Sequence, residues 1–344
     1  MTTQVLLPLA DTVLEQVSEA VRLGLSSKPK SLPPWLFYDE EGSHLFEQIT
    51  ELPEYYLTRT ERSIFAAHAA AILAEAVRDL HDGDRVQANR GAHACDAQTL
   101  RIVELGAGSA DKTRLLLLAA IEREDSVVYE PVDVSASALE AACVRIEREI
   151  PEVLLAPRVI DYTHDLELDP TTAGERRLVL YIGSSIGNFE PEEAIRLLCR
   201  VRARLRSGDG ILLGVDLRKD ERALLAAYND SAGVTAAFNL NLLARLNREL
   251  GANFNPSLFA HRAVWNDEAS RIEMHLECQA SHIVRIPALD LEIAFAEGET
   301  IHTENSYKFP PGGAEAMLSA ACFTPAATWT DPHSRFAVCL GQVE

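Results

Sequence analysis

The stretch that decides the fold is Arg101–Leu118, RIVELGAGSADKTRLLLL. Arg101 to Leu105 alternates weakly and includes β-branched residues, Gly106-Ala107-Gly108 can take backbone angles closed to other residues, and Asp111 to Leu118 has helical apolar spacing. A strand, a glycine turn and a helix in this order let backbone approach a ligand closely, and the helix N-terminus offers unpaired N–H groups to a carboxylate or phosphate. Glycine turns between strand and helix are common in plain connections too, so the remaining chain has to decide between cradle and connection.

Downstream, the pattern alternates. A helix at 112–123, a strand at 127–132, a helix at 136–149 and a strand at 153–160 are followed by a strand at 177–182, a helix at 191–205 and a strand at 210–217. This β/α rhythm predicts a parallel sheet with helices on both faces and ligand groups at the strands' carboxyl ends. Those ends carry polar residues. Asp133 follows the second strand, where an acid accepts both hydroxyls of a ribose. Asp161-Tyr162 follows the third, where a carboxylate meets an adenine amino group beside an aromatic ring. Gly183-Ser184-Ser185-Ile186-Gly187-Asn188 follows the fourth, combining close backbone approach with an amide that donates and accepts. Asp216 ends the fifth.

Upstream, 11–25 has helical spacing behind Asp11, and three prolines break the chain before Trp35. The segment PPWLFYDEEGSHLFEQITELPEYYLTRTERSIF is dense in aromatics and reads as a loop whose Trp35, Phe37 and Phe46 plug a neighbouring core. Thr58 and Thr60 with Glu61 mark a helix start, and Ile64 to Leu80 continues it. His81 to Thr99 is polar and aperiodic and reads as a surface loop. From Lys219 the rhythm changes: helices at 222–228 and 234–250 precede strand patterns at 271–285, 291–295 and 299–309. A helix at 313–321 and a terminal hairpin then complete the first sheet. The expectation is a cofactor-binding domain of 60–217 plus 310–344 and an α+β substrate domain of 1–59 plus 218–309.

Composition narrows the partners. The 344 residues carry 32 basic and 52 acidic side chains, a net charge of −20, which argues against nucleic acid or an anionic membrane surface. No run of eighteen apolar residues exists, and the first residues lack the charged start of a signal peptide, so a cytoplasmic protein is expected. Six cysteines without a CxxC pair and ten histidines without HxH or HxxxH predict reduced thiols and no metal site. A monomer is expected.

Two cofactor readings compete at the glycine turn. A dinucleotide fold would carry GxGxxG, but Gly106-x-Gly108 is followed by Ser109-Ala110-Asp111-Lys112. Glu104 two residues before the first glycine, with this truncated turn, is typical of S-adenosylmethionine-dependent methyltransferases, in which Lys112 would pair with the methionine carboxylate.

Six blocks carry a more specific resemblance: Pro29 to Glu61, VELGAGSADKTR (103–114), IGSSIGNF (182–189), YNDSAGVTAAFNLNLLARLNREL (228–250), RIEMHL (271–276) and TENSYKF (303–309). They resemble the L-histidine Nα-methyltransferases of ergothioneine biosynthesis, and the resemblance covers nearly the whole chain, departing at the long 81–99 loop. It implies a seven-stranded, class I Rossmann-like methyltransferase sheet with a second α+β domain. It also implies trimethylation of the α-amine of L-histidine with S-adenosylmethionine as donor. The resemblance assigns Tyr38, Gly106, Lys112, Asp133, Asp161 and Tyr162 to the cofactor. It assigns Tyr55, Gly183, Asn188 and Tyr228 to the amino acid's carboxylate and amine, and Met274, Glu304 and Ser306 to the imidazole. Asn305, between the last two, is counted with the substrate residues, although alternation puts Glu304 and Ser306 on one strand face and Asn305 on the other. A carboxylate and a hydroxyl on one face satisfy both nitrogens of an imidazole, whereas an indole offers one donor and no acceptor. Tyr55 and Asn188 are the expected catalytic residues, Tyr55 or water taking the proton of the substrate ammonium. The alternatives are a methyltransferase for another aromatic amino acid and a catalytically silent binding protein on the same scaffold.

Overall fold

The computed structural model describes residues 10–78, 99–124, 126–163, 166, 168 and 174–344; the expected 81–99 loop lies outside them but for Thr99. Among these residues Leu57–Leu217 with Phe309–Glu344 form one unit, and the residues up to Tyr56 with Arg218–Lys308 form another.

The first unit is built on a twisted sheet with Thr99–Leu105 at its centre. Ser126–Asp133 pairs parallel on one side and Glu175–Tyr181 parallel on the other. Beyond the latter come Gly210–Asp216, parallel, then Phe336–Gln342, antiparallel, and Thr324–Thr330 at the edge. The far edge holds two short strands, Leu154–Leu155 and Arg158–Val159, where one continuous strand was expected. Pro157 between them lacks the N–H that would continue the ladder. Because the chain places its second strand on one side of the first and its fourth on the other, the order reverses at Thr99–Leu105, and a crevice opens there. Val103, Val179, Leu213 and Val215 of the sheet pack against Leu197, Leu198 and Val201 of helix Pro191–Arg202 and Leu318 of helix Gly313–Ala320. Helix Tyr56–Ala76 starts before the Thr58–Thr60 signal, so Glu61 lies inside it.

The second unit has a four-stranded sheet in the order Lys30–Ser31, Thr300–Tyr307, Arg271–Cys278, Phe259–Asn266. The expected strand 271–285 ends at Cys278, and His282–Ile286 pairs with Leu291–Phe295 in a separate ribbon. Cys278 and Val284 are both buried, so alternation stays in phase across the turn and periodicity alone gives no sign of it. Strand Phe259–Asn266 was not foreseen because its faces differ little in burial. The aromatic segment is also more regular than a loop. Glu40–Glu51 is a helix, capped by Asp39 Oδ1 accepting from the Gly42 N–H at 2.7 Å and led by Glu40 and Glu41 in its first turn. Its Phe46 does pack on neighbouring rings, Phe238 of helix Val234–Leu250 at 6.0 Å and Tyr38 at 5.7 Å between centroids.

Candidate functional site

In the first unit the glycine turn takes left-handed backbone at Gly106 (φ 74°), Gly108 (φ 49°) and, unusually for a side chain with Cβ, Ala110 (φ 52°). Its donors are not the free groups that the sequence suggests. Gly106 and Ala107 donate to the Val132 carbonyl at 2.8 and 3.1 Å, and Gly108 donates to Asp133 Oδ2 at 2.8 Å. What the turn offers a ligand is therefore open backbone: a Cβ on Gly108 would meet nothing within 4 Å. Asp133 also accepts from the Ser135 N–H at 2.9 Å through Oδ1. Each of its oxygens keeps a further lone pair for a hydroxyl, and burial pushes its carboxyl above the usual range.

Tyr162 brings its hydroxyl within 3.2 Å of where a Cβ on Gly106 would stand, a tight contact that adds to the left-handed backbone in favouring glycine there. Its ring meets Tyr181 edge-on at 5.8 Å, and burial raises its phenol. Asp161 turns toward Thr163, accepting from its N–H at 2.9 Å.

Lys112, expected beside a carboxylate, already touches one within the protein. Its ammonium meets Glu61, which is fully buried and accepts from the Gly183 N–H at 2.9 and 3.0 Å. One acid thus ties the glycine-turn helix to the loop after the fourth strand. Gly214 makes room for it, since a Cβ there would lie 2.1 Å from Glu61 Oε1. In the sequence Glu61 reads only as a helix-start acid. Glu104 is buried too, accepting from Tyr129, and desolvation lifts its carboxyl to about 7. Gly183 and Asn188, expected at the amino acid, both belong to this unit, Asn188 closing the 3-10 turn Ser185–Asn188.

The second unit brings together Tyr228, Met274, Glu304 and Ser306. Glu304 pairs with Met274 in register across two strands, and a bulge at Thr303 precedes it. The bulge buries Thr303 and Glu304 in succession, and the Thr303 hydroxyl is absorbed by the Met274 carbonyl at 3.0 Å. It sets the phase that points Glu304 and Ser306 to the buried face. Among the described residues the Glu304 carboxylate has no hydrogen-bond partner; desolvation raises it to about 7 against the pull of Lys308. Asn305, counted with the substrate residues, turns to the other strand face, where its Oδ1 lies 2.9 Å from His302 Nε2.

Tyr228 closes the cluster. Its hydroxyl lies 2.6 Å from Ser306 Oγ, and Lys308 Nζ stands 2.9 Å from that hydroxyl and 2.8 Å from Ser306. The expected carboxylate partner and imidazole partner are therefore one network. Lys308, 2% exposed, was missed, although strand alternation from Glu304 through Ser306 reaches it directly. Tyr55 is buried, its ring 6.4 Å from that of Tyr228. Tyr38 lies in this unit as well, against Phe238 at 5.9 Å. His261 fixes the Tyr228 backbone through its carbonyl at 2.8 Å and is itself held by Asn239 at 2.9 Å. Among the described residues no group of three His, Cys, Asp or Glu side chains is arranged to hold a metal, and no helix is long and apolar enough to cross a membrane.

Residues 17–343 match the profile of a family described as histidine-specific methyltransferase, SAM-dependent. The chain is 43% identical over 331 residues to a histidine N-alpha-methyltransferase of Mycolicibacterium smegmatis, covering 96% of both chains. It is 43% identical over 317 residues to one of Mycobacterium tuberculosis, covering 92% of both. It is also 29% identical to an ergothioneine biosynthesis protein 1 of Neurospora crassa, over 88% of this chain and 32% of that one.

Proposed function

The chain belongs to the histidine-specific, S-adenosylmethionine-dependent methyltransferases, and we propose that it methylates the α-amine of L-histidine three times, giving the trimethylammonium betaine that begins ergothioneine biosynthesis. The observation that carries the substrate is Glu304. It is a buried carboxylate without a hydrogen-bond partner among the described residues, two residues from a buried serine hydroxyl on the same strand face. A neutral imidazole brings one N–H donor and one acceptor nitrogen, the complement of that pair. An indole brings no acceptor.

The first unit fits the cofactor. Gly106 and Gly108 leave backbone uncovered, Asp133 keeps lone pairs for a ribose diol, and Asp161 with Tyr162 stands at the next strand end for the adenine. Lys112 has three donors, so it can hold the methionine carboxylate while keeping Glu61. S-adenosylmethionine, when bound, supplies an electrophilic methyl on a sulfonium. Asn188, Gly183, Tyr55 and Tyr228 hold the amino acid, and the amine must lose its proton, because free α-amines titrate near pH 8. Tyr55 or water accepts it. Positioning dominates the rate, and tyrosine faces stabilise the growing cation by roughly 0.5 to 2 kcal/mol per contact.

The test is Glu304→Ala. Losing the acceptor for a ring N–H costs about 1.5 to 3 kcal/mol, so histidine affinity falls roughly ten- to 150-fold while S-adenosylmethionine affinity holds; equal losses for both ligands in calorimetry refute the role. The proposal extends to a cytoplasmic monomer, and the net charge of −20 disfavours nucleic acid or an anionic membrane as its partner.

A further inference from the structure

Tyr228 ends helix Glu221–Tyr228, and the last carbonyls of a helix have no partner within it. A side chain supplies one here: His261 Nε2, on strand Phe259–Asn266, lies 2.8 Å from the Tyr228 carbonyl oxygen. A carbonyl only accepts, so Nε2 carries a proton. The other ring nitrogen, Nδ1, lies 2.9 Å from Asn239 Nδ2, which is also 3.0 Å from the His275 carbonyl oxygen. That second carbonyl fixes which way the amide faces, because turning it over would set oxygen against oxygen. Nδ2 has two N–H groups, one for each neighbour, so His261 Nδ1 accepts and holds no proton. Two carbonyls and one amide therefore leave His261 a single form, the neutral Nε2–H tautomer.

We propose that His261, held in one tautomer by Asn239, is a positioning residue that pins the Tyr228 backbone at the end of its helix, so that the Tyr228 side chain meets the amino-acid substrate in one geometry. The inference rests on the reading of Tyr228 as a residue that holds the amino acid and deepens it, because it names what sets that contact. Asn239 is fully buried, and its Oδ1 has no hydrogen-bond partner among the described residues. An unpaired buried oxygen costs stability, so the amide keeps its orientation through the two bonds of its nitrogen. The chain just beyond Tyr228 is fixed as well, since Asp230 accepts from the Val234 and Thr235 N–H groups at 3.0 and 2.7 Å. His261 anchors the near side of that joint. Burial lowers its pKa, in keeping with the neutral ring that the hydrogen bonds demand.

The experiment measures histidine binding by calorimetry in wild type and in the His261→Gln, His261→Asn and His261→Phe variants, each with Tyr228 and with Tyr228→Phe. A glutamine amide nitrogen reaches the place of Nε2 and can still donate to the Tyr228 carbonyl, whereas that of asparagine reaches only the place of Nδ1. His261→Asn and His261→Phe should weaken histidine binding by about tenfold or more, and His261→Gln should stay within about threefold of wild type. Beside Tyr228→Phe, the same changes should cost less than about twofold, because residues acting through one contact are not additive. Nitrogen NMR of the wild-type protein at neutral pH should show His261 protonated at Nε2 alone, a measurement that needs no variant to fold. Equal losses in Gln and Asn, full additivity with Tyr228→Phe, or a proton on Nδ1 each overturn the proposal. If Tyr228→Phe alone binds histidine as tightly as wild type, the reading of Tyr228 has failed and the proposal falls with it.

Discussion

Glu304 carries its carboxyl at about 7 because it is desolvated and not hydrogen-bonded, with Lys308 pulling the other way. A carboxyl whose folded value lies above its ordinary 4.5 binds more protons folded than unfolded between the two, so stability falls as pH rises through that window. Glu304→Gln removes the effect: its melting temperature exceeds wild type by about 2 °C or more at pH 8 and matches it near pH 4.5. Calorimetric scans at both values check this, and an equal offset at both contradicts it. Binding moves oppositely, because only the ionised carboxylate is a pure acceptor. Histidine affinity therefore rises as pH increases through 7 in wild type and loses that rise in Glu304→Gln. The pair Glu304 and Ser306 was legible in the sequence, since period-two alternation places them together. Lys308 obeys the same rule and was passed over because a lysine two residues beyond reads as solvated, whereas here it is buried by Tyr228. Asn305 was counted with them against that same alternation, and the bulge at Thr303 leaves it on the other face beside His302.

The turn from Gly106 to Asp111 depends on support that no local pattern reveals. Glu61 reaches it from helix Tyr56–Ala76 and meets Lys112 and the Gly183 N–H, while Gly214 on strand Gly210–Asp216 leaves the space. Gly214→Ala drives a methyl into that carboxylate. We expect S-adenosylmethionine affinity to fall at least tenfold and stability by about 1 to 3 kcal/mol, the cost of overpacking; titration calorimetry and denaturant melts read both, and wild-type affinity would contradict the role given to Glu61. Helix Glu40–Glu51 makes a second case. Asp39 caps it and also accepts from Asn241 at 2.8 Å and from Arg248. Asp39→Ala should destabilise by about 1 to 2 kcal/mol and weaken S-adenosylmethionine binding through displacement of Tyr38, a result checked by urea unfolding and calorimetry together. The helix reads as loop in the sequence because its aromatics break the apolar spacing, although the capping acid and acidic first turn mark a helix start.

The β/α rhythm makes most of the first unit's sheet readable, including the antiparallel strand Phe336–Gln342 near the edge, but not the split of the far-edge strand at Pro157. The second unit was readable in outline only. Its sheet gathers strands Lys30–Ser31 and Thr300–Tyr307, far apart in the chain, and its turn after Cys278 hides behind alternation that stays in phase. Neither the partner choice of a strand nor a silent turn leaves a periodic trace. Substrate identity, by contrast, needed both the family's motifs and the buried acid, since the cofactor cradle is shared by methyltransferases of many substrates. The most direct measurement is turnover by the purified chain with S-adenosylmethionine and each of the twenty amino acids, products read by mass spectrometry. Histidine alone should be consumed, and at full conversion it should carry three added methyl groups. A monomethyl end product, or turnover of tryptophan or tyrosine equal to that of histidine, would contradict the account.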